Sequence, residues 1–248
     1  MKLDIVTIFP RMVEAGLAEG VIGRGIERRI LDIQVHDLRD YTTDRHRSVD
    51  DVPYGRGPGM VMKPEPLARA VEDIRTRRGE PGAVVLLSPQ GRKFTQTEAV
   101  RMSAMPHLVL LCGRYEGMDE RVRTAVATDE LSIGDYVLSG GQLPALVVVD
   151  AVCRLVPGVV GDVRSVEQDS FSRGLLDYPH YTRPSEFAGQ KVPDVLLSGH
   201  HEEVRRWRKM TALRRTLERR PELLNTAALD DEERRMLDEI RKEQETGQ

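Results

Sequence analysis

Cysteine is nearly absent from this chain. Only Cys112 and Cys153 occur, with no CxxC pair and no metal-ligand spacing around either. Neither a disulfide framework nor a zinc site is indicated, and two buried reduced thiols are the plain reading. The six histidines form neither HExxH nor any paired spacing, which removes the metalloprotease signature. No apolar run approaches the length of a membrane span. The N-terminus, Met1-Lys2-Leu3-Asp4-Ile5-Val6, carries an acid inside a short apolar run and reads as a buried first strand, not a secretory signal, so a cytoplasmic protein is expected. No internal repeat or low-complexity tract is present, and none of the glycine-rich segments fits GxGxxG or the P-loop.

What is present describes a soluble globular protein. Hydrophobic residues make up 40% and charged residues 31% of 248 residues, enough for one large domain with a small appendage. Apolar runs at 3–8, 31–37, 83–88 and 108–112 are bounded by turn residues, as buried parallel strands are. Between and after them, 64–78, 95–105 and 119–127 carry helical signals; in the first, Leu67, Ala70, Val71 and Ile74 share a face. The alternation predicts an α/β domain with a mainly parallel sheet. A further helix over 144–155 is so apolar, through Ala145-Leu146-Val147-Val148-Val149, that it wants cover on most sides. From 157 to 174 periodicity gives way to turn formers, a stretch longer than most loops in compact domains. Beyond it Val204, Trp207, Met210, Leu213 and Leu217 recur at helical spacing. The expected organisation is an α/β domain at 1–156, a linker at 157–174 and a helical domain at 175–248.

The net charge of −3 hides an asymmetry. Residues 205–220 hold eight basic side chains against one acidic, and 221–248 hold nine acidic against four basic. Screening confines a charged patch's field to about 8 to 10 Å, so a basic helix can attract phosphate whatever the whole-chain charge. A solvated amphipathic helix would look the same.

Three glycine-rich segments stand out: Pro53-Tyr54-Gly55-Arg56-Gly57-Pro58-Gly59-Met60, Cys112-Gly113-Arg114-Tyr115-Glu116-Gly117 and Ser132-Ile133-Gly134-Asp135-Tyr136-Val137-Leu138-Ser139-Gly140-Gly141. The last two follow strand-like runs, where open α/β sheets form ligand crevices, although each could equally be an ordinary turn. Arg154 closes an apolar helix and needs a partner or solvent for its charge. His46 can face phosphate, and His107 reads as structural. From the residues alone, the chain is an α/β protein with a glycine-lined pocket and a basic helical appendage.

The segments Asp44-Arg45-His46-Arg47-Ser48-Val49-Asp50-Asp51, Leu87-Ser88-Pro89-Gln90-Gly91, Leu175-Leu176-Asp177-Tyr178-Pro179-His180-Tyr181-Thr182-Arg183-Pro184 and Val195-Leu196-Leu197-Ser198-Gly199-His200, taken in order with the three above, closely resemble the TrmD family of bacterial tRNA (guanine-37-N1)-methyltransferases, within the SPOUT superfamily. The resemblance spans roughly residues 1 to 225. Arg56 departs from a family pattern that is usually Pro-Tyr-Gly-Gly-Gly.

The resemblance implies a parallel α/β domain tied in a deep trefoil knot, a linker, a helical C-terminal domain that binds tRNA, and a homodimer with sites shared between subunits. It implies S-adenosylmethionine as methyl donor, held by Leu87, Ser88, Pro89, Gly113, Tyr115, Glu116, Ser132, Ile133, Gly134, Asp135, Tyr136, Val137, Leu138, Gly140, Gly141 and Pro144. Glu116 would face the cationic methionyl end, with Ile133, Val137 and Leu138 as apolar cover. Asp169 becomes the general base for guanine N1 and Arg154 the group that steadies charge on O6, with Asp169 supplied by the linker of the other subunit. His46, Asp50, Gly59, Ser170, Ser198 and Gly199 match positions that contact the target guanine of the anticodon loop and its neighbour, while the basic helix would hold phosphate. Magnesium enters as an accessory ion of the family, without a metal-ligand constellation here, and no membrane is involved. The alternatives are a related methyltransferase acting on ribosomal RNA and a non-catalytic RNA-binding protein; the Asp169 and Arg154 pair argues against the latter.

Overall fold

The computed structural model describes residues 1–162, 166 and 169–246, which divide into two compact units, Met1–Gly161 and Asp162–Gln248. The expected linker at 157–174 lies partly outside the described residues. Its first residues belong with the first unit, because Val159 is buried in that unit's core.

In the first unit, β1 (Lys2–Thr7), β2 (Asp32–Asp37), β5 (Ala83–Lys93), β6 (His107–Cys112) and β7 (Asp129–Ser132) form one parallel sheet in the order β2-β1-β6-β5-β7. Strand alternation sends successive side chains to opposite faces. Leu3, Ile5, Val85, Leu87, Leu108 and Leu110 pack on one side against α1 (Pro10–Leu17), α4 (Gln96–Ser103) and α6 (Gln142–Cys153). Val6, Val84, Leu86, Val109 and Leu111 pack on the other against α3 (Pro64–Arg78) and α5 (Glu120–Ala125). Two covered faces explain why the strands read as nearly continuous apolar runs. The 64–78 expectation matches α3 residue for residue, with Pro64 at its start. The other two helices begin one residue later than expected, because Thr95 and Asp119 are their N-caps. The first unit also holds α2 (Gly20–Glu27) and a short antiparallel pair, β3 (Asp50–Asp51) with β4 (Val61–Met62). β7 is the strand-like run before the third glycine-rich segment; its bounds are not readable from the sequence because its four residues, Asp129-Glu130-Leu131-Ser132, carry only one large apolar side chain.

The acid within β1 has a structural account. Asp4 is fully buried and accepts hydrogen bonds from His36 Nε2 at 2.6 Å, His107 Nε2 at 2.7 Å and Arg78 Nε at 2.9 Å. Burial opposes its ionisation, but the two imidazoles and the guanidinium outweigh that cost and hold the carboxyl below its ordinary value. His107 is therefore structural, as expected. Cys112 and Cys153 are free and buried, and burial pushes each thiol up to about 12.

In the second unit, β8 (Glu186–Phe187) and β9 (Gln190–Lys191) make a small hairpin, followed by α7 (Asp194–Leu197), α8 (His201–Arg219) and α9 (Asp231–Thr246). Leu213 of α8 meets Met236 and Ile240 of α9, with Leu175, Met210 and Leu217 around them. The amphipathic helix expected from Val204 to Leu217 is α8. Among the described residues no helix is long and apolar enough to cross a membrane.

Candidate functional site

A cavity of about 380 Å³ opens at the carboxyl ends of β5, β6 and β7, where open parallel sheets place their ligand crevices. Its wall comes from three loops. The first interrupts β5: Leu87 and Arg92 both oppose Leu131 of β7, so residues 88–91 bulge out of the ladder. Pro89 has no N–H to give to the ladder. A Cβ on Gly91 would lie 2.5 Å from Leu131 N, so only glycine lets the bulge return to the sheet.

The second and third loops, 113–117 and 133–141, are stitched together. Gly141 N donates to Gly113 O at 2.7 Å, and Arg114 bridges Gly140 in antiparallel fashion. A Cβ on Gly141 would meet Cys112 Cα at 2.7 Å, so this approach requires glycine. Tyr115 takes φ +58, a left-handed conformation that costs a non-glycine residue about 1 kcal/mol. The loop 52–60 joins this assembly where Glu116 N donates to Met60 O at 3.0 Å.

Of the residues expected to hold the methyl donor, those at 87–89, 113, 115–116, 132–134, 136–138, 140–141 and 144 all line this cavity. Asp135 does not. Its side chain is 86% exposed and pairs with Lys93 at 2.9 Å, so it braces the loop from outside. The cavity also draws on Gln90, Met118, Glu120 and Arg123, which the sequence reading did not single out. Glu120 and Arg123 lie on α5, a segment from which the sequence reading drew only a helix. The size suits a small organic molecule, and the lining combines aliphatic side chains from Leu86, Leu131 and Ile133 with backbone groups of the glycine-rich loops, the carboxylates of Glu116 and Glu120 and the guanidiniums of Arg114 and Arg123. That set offers apolar cover, backbone hydrogen-bonding groups and charges of both signs to one ligand.

The remaining expected residues fall in several places. His46 is exposed, its backbone N–H held by Asp44 at 3.0 Å, and Asp50 is paired with Met62 in β3 and β4. Gly59, at φ +76, sits against Glu116. Arg154 caps the C-terminal end of α6, its backbone N–H donating to Asp150 O and Val152 O.

Asp169 and Ser170 belong to the second unit. Asp169 lines a separate cavity of about 330 Å³ there with Arg173, Tyr178, His201 and Arg208. Ser170 Oγ accepts from Asp177 N at 3.0 Å. Ser198 and Gly199 follow α7, with Ser198 Oγ donating to Val195 O at 2.9 Å and Gly199 at φ +76.

The basic helix is more nearly neutral than its sequence suggests. Carboxylates of α9 and the segment before it face α8: Arg205 reaches Glu232 at 2.7 Å, Lys209 reaches Asp230 at 2.7 Å, Arg214 reaches Glu243 at 2.7 Å and Arg206 reaches Glu239 at 3.6 Å. Hydrogen bonds from Arg205, then Lys209, pull the Glu232 carboxyl down to about 2. Arg208 instead stacks over Tyr178, 5.0 Å from the ring centre. Among the described residues, no three His, Cys, Asp or Glu side chains gather as a metal site.

Comparison with known proteins gives these features a common setting. The family profile described as tRNA (Guanine-1)-methyltransferase TrmD matches residues 1–226. A protein of Pelotomaculum thermopropionicum named tRNA (guanine-N(1)-)-methyltransferase is 56% identical over 97% of this chain and 96% of its own length. Proteins of the same name from Halalkalibacterium halodurans (52% identical, 99% of this chain and 100% of the relative) and Geobacter metallireducens (52%, 97% and 98%) are similar over the same extent. With a cavity walled by three of the segments that carry the resemblance and a profile match over most of its length, the chain belongs to the tRNA (guanine-1)-methyltransferase family.

Proposed function

We propose that this protein transfers a methyl group from S-adenosylmethionine to N1 of guanosine 37 of tRNA, beside the anticodon. The observation that carries the reading is the cavity at the carboxyl ends of β5, β6 and β7, whose three loops bring together all but one of the residues expected to hold the donor. The names of its relatives favour this reading over a ribosomal RNA methyltransferase.

S-adenosylmethionine supplies an electrophilic methyl on a sulfonium when bound. The protein's own task is proton management and positioning. Guanine N1 carries a proton, and its lone pair becomes available for attack as that proton leaves. Asp169 takes the proton, and Arg154 offsets the negative charge that grows on O6. Glu116 balances the donor's positive end, Ile133, Val137 and Leu138 exclude water from the adenosine, and Asp135 acts indirectly by bracing the loop through Lys93. His46, Asp50, Gly59, Ser170, Ser198 and Gly199 receive the target guanine and its neighbour, and the cations of α8 hold phosphate. No step is routed through magnesium, for which the described residues gather no ligand set.

We further infer a cytoplasmic homodimer with the family's trefoil knot, in which the part of 157–174 that follows the first unit acts as a linker that lets tRNA binding deliver Asp169. Exposed apolar side chains on two packed helices support the dimer: Leu143 and Val147 of α6 remain 47% and 46% exposed, and Met12 of α1 44%. The decisive experiment incubates purified protein with labelled S-adenosylmethionine and unmodified tRNA and maps the methylated nucleotide. Label at N1 of guanosine 37 is expected. Label on another base, or none, overturns the proposal.

A further inference from the structure

A guanidinium ties one wall of the donor cavity to the sheet. Residues 88–91 lie outside the β5–β7 ladder, so they lack the backbone bonds that hold a strand in place. Within the bulge, Gln90 N donates to Ser88 Oγ at 3.1 Å. From outside, Arg123 of α5 sends one guanidinium nitrogen to Gln90 Oε1 at 2.7 Å and the other to Glu130 Oε2 of β7 at 2.8 Å. Its Nε lies 3.2 Å from Glu120 Oε2. Arg123 thus ties together the bulge, α5 and β7, and the planar fork of arginine suits two divergent acceptors where a lysine's point charge would not. Arg123 Nε and Glu130 Oε1 are buried and have no hydrogen-bond partner among the described residues. The link therefore runs through the two terminal nitrogens.

We propose that Arg123 is a positioning residue for methyl-donor binding: through Gln90 it holds the 88–91 bulge in the shape in which Ser88 and Pro89 form the cavity wall. The inference rests on the reading of this cavity as the donor site. Arg123 shapes that wall before chemistry begins, so its loss raises the donor KM and leaves kcat at saturating donor nearly unchanged.

Calorimetric titration of S-adenosylmethionine into the wild type, Arg123→Met, Gln90→Met and the double variant tests this. Each single change should weaken donor binding roughly tenfold, the effect of losing one charge-assisted hydrogen bond. The double variant should be no weaker than the worse single one, because both residues act through one contact. Unchanged donor affinity in Arg123→Met, or losses that multiply in the double variant, overturns the proposal. Arg123→Met also strands the Glu130 carboxylate, so Arg123→Met/Glu130→Gln is measured beside it with its thermal midpoint. Regained stability without regained donor affinity supports positioning; recovery of both assigns Arg123 to the fold alone and overturns it. A wild type that does not bind the donor defeats the cavity reading and this inference together, a result separable from all the others at the first titration.

Discussion

A methyl group on Gly59 would lie 2.3 Å from Oε1 of Glu116 and 2.6 Å from its Cγ. Gly59 also takes φ +76, so two independent constraints disfavour a side chain there. Gly59→Ala should cost about 1 kcal/mol of stability through its backbone and push Glu116 out of the donor cavity. We expect kcat/KM for methyl transfer to fall at least about tenfold, read by steady-state kinetics at saturating tRNA. Wild-type kinetics would dissociate Glu116 from donor binding.

Removal of the proposed base should separate chemistry from binding. Asp169→Ala is expected to abolish methyl transfer while S-adenosylmethionine affinity stays nearly that of the wild type. Single-turnover transfer and donor titration check the two halves, and turnover at the wild-type rate would sink the base assignment.

The Asp4 cluster predicts a pH dependence. Its carboxyl lies below the ordinary value in the folded state, so its contribution is fully present above the unfolded value of about 4 and is lost as pH falls through the folded one. Asp4→Asn leaves Arg78, His36 and His107 facing an uncharged group in a buried site and should cost about 3 kcal/mol. Urea unfolding of both proteins between pH 3 and 7 should show the difference shrinking at the acid end. A constant difference would remove Asp4 ionisation from the account.

The acidic face of α9 competes with phosphate for α8. Glu239→Gln with Glu243→Gln changes two exposed residues outside the core and frees Arg206 and Arg214. Binding to tRNA should tighten, and the slope of log affinity against log salt should steepen by about 1.5 if both cations reach phosphate. An unchanged slope places these two arginines away from the RNA.

Both thiols are buried and shifted upward. Native protein at pH 8 should react with a thiol reagent far more slowly than free cysteine, with both groups titrating fully in denaturant. Rapid reaction of the native protein would contradict the burial of Cys112 and Cys153.

Four strands and α3 are legible in the sequence because strands buried on both faces must be apolar throughout, while a helix at a sheet surface must repeat near 3.6 residues. The bounds of β7 were not legible because four residues with one large apolar side chain make too short a pattern. Local glycine content likewise marked the loops as sharp turns without saying that they converge. Their meeting depends on the order β2-β1-β6-β5-β7, which brings the carboxyl ends of strands distant in sequence side by side.

Motif order by itself determined the family and the three loops that wall the cavity. Tertiary structure alone decided the rest, since these outcomes depend on contacts between distant residues. Asp135 turns outward to Lys93, Arg123 reaches the 88–91 bulge across 33 residues, Asp4 is ionised by partners 32 and 103 residues away, and α9 neutralises much of a helix whose sequence reads as strongly basic. Local pattern reports what each segment can bury. Which charge meets which is settled only when the chain closes on itself.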